Sequence, residues 1–153
     1  MARQYASPSG WFGRIITSKL LNRANKAAND AVFQAMEISA RDRVLEIGFG
    51  GAALLIRIAE NSEDIQLHGI ENSQVMIDNA RSILNAKQSL PSATLRLGQI
   101  ENLPYPDCSF DKVCSVNTIY FWESLSAGAK EVSRILGLGG KVVLGFSDGH
   151  RMR

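Results

Sequence analysis

The chain has 153 residues, 45% of them hydrophobic and 21% charged, with a formal net charge of +2. That length makes one domain able to bury roughly 68–70% of its unfolded surface, and so small a positive excess does not imply nucleic acid. No apolar stretch reaches the ~20 residues that span a bilayer, and the two cysteines and two histidines show no ligand spacing, so no metal centre is expected.

Cys114 lies in an apolar run, which reads as a reduced, cytoplasmic protein. Residues 1–29 hold Arg3, Arg14, Lys19, Arg23 and Lys26 and no acid. Organelle transit peptides share that composition; a leading helix of the domain is the alternative. Phe12, Ile15, Ile16 and Leu20 make one apolar helical stripe, and Ala24, Ala27, Ala28, Ala31 and Ala35 continue a narrow one. The pattern predicts helix from about Trp11 to Met36, broken near Asn22. Asn22, Asn25 and Asn29 share a face, although asparagine is a poor helix former. That face is either solvated or part of a lid over a ligand cleft.

Arg43-Val44-Leu45-Glu46-Ile47 reads as a buried strand, Gly48-Phe49-Gly50-Gly51 as a tight turn, and Ala52–Glu60 as a helix returning over the sheet. Strand, glycine turn and helix open the nucleotide site of a doubly wound α/β domain. Glu46 is a carboxylate at the end of a strand buried on both faces, where an unpaired charge is costly. It either accepts hydrogen bonds from the glycine-loop amides and braces the turn, or also favours a cationic ligand group. A dinucleotide would bring a pyrophosphate beside this acid, whereas S-adenosylmethionine (SAM) brings an ammonium and a sulfonium. Glu46 therefore favours SAM.

Gln66–Ile70 is a second strand ending at Glu71, where an acid binds ribose hydroxyls. Asn72-Ser73 reads as a helix N-cap, and Val75, Met76, Ile77, Ala80, Ile83 and Leu84 give that helix a buried side. Thr94–Gly98 is strand three. Gln99–Pro106 is a loop whose prolines stop further pairing. Phe110–Val116 is strand four, Trp122–Leu136 a helix stopped by Gly137-Leu138-Gly139-Gly140, and Lys141–Phe146 strand five. Strands alternating with helices give a parallel sheet, and right-handed crossovers give the order 3-2-1-4-5. The fold class is α/β and Rossmann-like: residues 1–38 form a helical leader or lid, and residues 39–153 form the ligand-binding domain.

Together these blocks resemble the class I SAM-dependent methyltransferases, in their small bacterial-type branch. The resemblance rests on Val44–Gly50, Gly69-Ile70-Glu71-Asn72-Ser73, Gly98–Pro104 with Ser109-Phe110-Asp111, and Glu131, Arg134-Ile135-Leu136 and Gly139-Gly140. It covers about residues 40–147. It implies that Gly48 and Gly50 let the methionine part of SAM lie on the turn, that Glu71 holds the ribose and that Asn72 flanks the adenine. Gln99 and the Ile100 amide would read the adenine edge, and Asn117 would lie near the donor methyl. Tyr120 and Trp122 would face a small-molecule acceptor with Asn22 and Asn25 above it, although packing beneath the sheet edge is the alternative for both aromatics. Tyr120 is the one candidate base.

The sequence departs from the family at Ala52, where a third glycine is usual, and at Glu71 and Gln99, where aspartate is common. The family's sheet continues past strand five, whereas this sequence stops at Arg153. A truncated SAM-binding domain without turnover is therefore an alternative to the active enzyme. A third possibility is an NAD(P)-dependent oxidoreductase, since Gly48, Gly50 and Ala53 with Glu71 fit that pattern formally. Neither nucleic acid nor membrane is expected as a partner. Val142, Val143, Leu144 and Phe146 on an edge strand would invite a homodimer.

Overall fold

The structure is a computed structural model and describes residues 25–87 and 93–146, so most of the leader, including Asn22, lies outside the described residues. The elements are α1 (Lys26–Met36), β1 (Arg43–Ile47), α2 (Ala53–Asn61), β2 (Gln66–Glu71), α3 (Gln74–Ala86) and β3 (Ala93–Leu97). They continue with β4 (Phe110–Val116), a 3-10 turn (Ile119–Phe121), α4 (Leu125–Ile135) and β5 (Leu136–Gly145). The strands form one sheet in the order β3-β2-β1-β4-β5, every pair parallel, which is the expected doubly wound topology.

Alternation along the central strands feeds two cores. Val44 and Cys114 join Val32, Met36, Leu55, Ile58 and Ile77 on the face covered by α1, α2 and α3. Leu45 and Val113 join Phe110, Leu103, Val132 and Ile135 on the face covered by α4. A fully buried side chain of this kind contributes roughly 1.5–3 kcal/mol, so β1, buried on both faces, anchors whatever its carboxyl end carries.

The amino ends of β1 and β4 are fastened by charge. The Arg43 guanidinium grips Asp111 through two bonds (2.8 and 3.0 Å), and its backbone amide donates to the same carboxylate at 2.8 Å. The Arg43 side chain, hydrogen-bonded to Asp111, pulls that carboxyl down to about 2. Arg134 bonds Glu131 and Asp107 and donates to the carbonyls of Leu103 and Tyr105. Two of the four sequence blocks thus fix the scaffold.

Two boundaries differ from the sequence reading. α4 starts at Leu125 rather than Trp122, because Ser124 caps it by accepting from the Ala127 amide at 3.2 Å. The glycine run ends α4 but also belongs to β5. Leu136 pairs with Phe110 and Lys141 with Lys112, so residues 137–140 bulge opposite Asp111. Gly139 sits at φ +74° within that bulge, a conformation natural to glycine.

Candidate functional site

The carboxyl ends of β1, β2 and β4 converge where doubly wound sheets bind ligands. Glu71, at the end of β2, accepts from the Gly50 amide at 3.0 Å and from the amides of Asn72 (2.8 Å) and Ser73 (3.2 Å). It is buried; burial pushes its carboxyl up and the three amides pull it back. The glycine turn is also tied by the Gly48 amide donating to the Ile70 carbonyl at 2.8 Å.

Glu46 lies beneath this turn on the α2 face of β1, opposite Gly69 on β2 and Cys114 on β4. It is 3% exposed, and its Oε2 has no hydrogen-bond partner among the described residues. Glu71, rather than Glu46, takes the Gly50 amide, and the Leu55 amide in the first turn of α2 lies against the Glu46 carboxyl. Burial first, and the Glu71 charge second, push the Glu46 carboxyl up to about 8. Among the described residues no cationic side chain contributes to either acid.

This raised value has a stability consequence. Glu46 binds a proton more tightly in the folded state than at the ordinary 4.5 of an exposed glutamate. Its contribution is therefore fully present below 4.5 and lost as pH rises through about 8. The thermal midpoint of the ligand-free protein is expected to fall between pH 5 and 8, and Glu46→Gln is expected to flatten that fall; a wild-type midpoint that rises over this range contradicts it.

Gly48 sits at φ +71°, and a Cβ there would meet Thr118 Cγ2 at 2.5 Å. Thr118 belongs to a directed chain. Trp122 Nε1 donates to Thr118 Oγ1 at 3.2 Å, and Ser115 Oγ donates to the Ile47 carbonyl at 2.8 Å. The bond between the two hydroxyls then runs from Thr118 to Ser115. Ala52, where a third glycine is usual, adopts φ +63°, at a cost of roughly 1–2 kcal/mol for a residue with a Cβ.

At the end of β4, Asn117 donates from Nδ2 to Asn25 Oδ1 at 2.7 Å, so the amino end of α1 reaches the sheet's carboxyl edge. Asn29 is buried; Asn25 and Asn29 are turned inward rather than fully solvated. Asn72 and Gln99 are exposed, with Gln99 in a turn bridged to Asn102, while Ile100 is buried. Tyr120 is 53% exposed on the rim. Trp122 is half-buried and packs against Gly128, which has no room for a Cβ beside the indole.

The structure thus gathers Glu46, Gly48, Gly50, Glu71 and Asn72 around the β1–β2 junction, and Asn25 and Asn117 beside β4. Gln99 and Ile100 follow β3. Thr118, Ser73 and the Leu55 amide were missed by sequence reasoning; their contacts are between segments far apart in the chain or use backbone atoms. Among the described residues no cluster of His, Cys, Asp or Glu could hold a metal ion, and no helix is long and apolar enough to cross a membrane.

Residues 45–144 match the family described as "Methyltransferase domain". The chain is 30% identical over 131 residues to the uncharacterized methyltransferase YdaC of Bacillus subtilis, covering 85% of this chain and 70% of that protein. It is 27% identical over 143 residues to the chloroplastic 2-methyl-6-phytyl-1,4-hydroquinone methyltransferase 2 of Oryza sativa, covering 90% of this chain but 40% of that enzyme. The crystal structure of a SAM-dependent methyltransferase from Aquifex aeolicus superposes with a TM-score of 0.68 at 18% identity, covering 78% of this chain and 65% of that one. The chain therefore spans less than two thirds of the rice and Aquifex proteins.

Proposed function

The chain belongs to the class I SAM-dependent methyltransferases, and from that premise we propose that it binds SAM across the Gly48–Gly50 turn and methylates a small molecule. The observation that carries this reading is the pair of buried acids, Glu46 and Glu71, beneath a glycine turn with no cationic side chain beside them among the described residues. An ammonium and a sulfonium suit that pair and a pyrophosphate does not, so an oxidoreductase is not favoured.

SAM supplies a methyl group already activated on a positively charged sulfur. The chain's own part is to bind, orient and exclude water. Glu71 has acceptor capacity left for ribose hydroxyls beyond the three amides it holds. Asn72 flanks the adenine, with Gln99 and the Ile100 amide at its polar edge. Asn117, held by Asn25, fixes the approach to the methyl group, and residues 1–38, with Asn22 among them, serve as a lid over the domain of residues 39–153. Tyr120 lies on the rim to meet the acceptor and take its proton, with Trp122 beneath. Such positioning accounts for roughly 7–11 kcal/mol of a barrier.

Calorimetric titration with SAM, S-adenosylhomocysteine and NAD tests the reading. Binding of the two adenosyl ligands without NAD is expected, and binding of NAD alone overturns it. Asn25→Ala is expected to lower turnover about tenfold while moving the melting temperature little, since the Asn117 side chain loses its tether; equal kcat/KM would return Asn25 to a packing role.

We also propose a cytoplasmic location and a homodimer through β5. Among the described strands β5 pairs only with β4, and it shows Val142, Leu144 and Phe146 at 42%, 38% and 64% exposure. Light scattering at tens of micromolar is expected to give the dimer mass, and a monodisperse monomer refutes it.

A further inference from the structure

We propose that Glu46 holds a proton in the free protein and releases it when a cationic ligand enters, so that donor binding and proton release are one event. The inference rests on the SAM reading and goes beyond it by giving Glu46 a titrating role.

The geometry is a buried carboxyl with nothing among the described residues to share its charge. Glu46 is 3% exposed and its Oε2 has no partner among them. An ionised carboxylate in such a place is disfavoured until a counter-charge arrives. The described groups facing it supply none. β2 offers the Glu71 carboxylate, β4 the Cys114 thiol, which burial pushes well up, and α2 the neutral Leu55 amide. Asp30 of α1 is tied to Arg57 of α2, and Asp78 and Arg81 of α3 are half-exposed and paired with each other. His68 of β2 turns to the opposite face, edge-on to Tyr105 and Phe110. The carboxyl value near 8 agrees with this geometry. On ligand entry the O–H bond of the Glu46 carboxyl breaks, its electrons stay on oxygen, and the proton passes to buffer.

The test is calorimetry of SAM and of S-adenosylhomocysteine at about pH 6.8, in phosphate and in Bis-Tris, whose ionisation enthalpies differ widely. The ligand's own amino group, with an ordinary value of about 7.7–8.0, is mostly charged there, and Glu46→Gln subtracts what remains. Wild type is expected to release close to one proton per ligand and to bind about tenfold more tightly at pH 7 than at pH 6. Glu46→Gln is expected to release none and to lose that slope. Wild-type binding with equal enthalpy in both buffers overturns the proposal, as does an unchanged proton release by Glu46→Gln. Should the variant fail to fold, the wild-type slope decides, and a flat one overturns it. Failure of both ligands to bind folded wild type overturns the donor reading itself, a result distinct from binding without proton release.

Discussion

Gly48→Ala is expected to destabilise the protein by about 3 kcal/mol and to abolish SAM binding. The first part comes from the backbone, since φ +71° is left-handed and costs a residue with a Cβ roughly 1–2 kcal/mol. The second comes from packing: the new methyl would lie 2.5 Å from Thr118 Cγ2, and overpacking costs typically about 1–3 kcal/mol. The terms separate by a double mutant. Thr118→Ser deletes Cγ2 but keeps the hydroxyl that links Trp122 to Ser115, so it should recover about half of the loss. Urea unfolding of the three variants reads the result, and wild-type stability of Gly48→Ala, or no recovery in the double mutant, refutes it. The sequence reading asks for glycine at this turn; the structure shows the positive φ and adds a demand from Thr118, present without any ligand.

Glu71→Ala is expected to weaken SAM binding at least tenfold and to cost about 2–4 kcal/mol of stability. The sequence reading gives this acid only ribose hydroxyls to hold. In the structure the same carboxylate already accepts from Gly50, Asn72 and Ser73. Buried amides left without an acceptor cost about 1–3 kcal/mol each, although the exposed Asn72 can turn to water. Calorimetry and urea unfolding check the two parts separately. Unchanged affinity would take Glu71 out of the site, and unchanged stability would take away its role as a brace.

These variants show what the sequence carries. The five strands and their order were legible because apolar runs, glycine turns and amphipathic helices alternate in a pattern that right-handed crossovers resolve in one way. The place of the candidate site was read from the same pattern, since Gly48, Gly50 and Glu71 follow or end strands β1 and β2. What was not legible depends on contacts between distant segments. Thr118 meets Gly48 across 70 positions, and nothing in either residue's neighbourhood announces it. Glu46 and Glu71 read as two separate acids, whereas their shared burial makes one of them hold its proton. The start of α4 was misplaced because Trp122 continues the apolar pattern while Ser124 makes the cap. Ala52 reads in sequence only as a departure from the family's glycine, and its left-handed backbone comes from the structure.

The thiol beside Glu46 makes a clock for the whole assembly. Cys114 is fully buried at the centre of the sheet, between Glu46 on one side and Val143 on the other, while the second cysteine, Cys108, is exposed. A thiol reagent attacks thiolate and needs access, so Cys108 is modified at once and Cys114 only when β4 parts from its neighbours. The slow phase of labelling then reports the opening of the central strands under native conditions, without denaturant and without an engineered cysteine. Because Cys114 lies directly beside Glu46, ligand capture beneath the glycine turn should lengthen that phase.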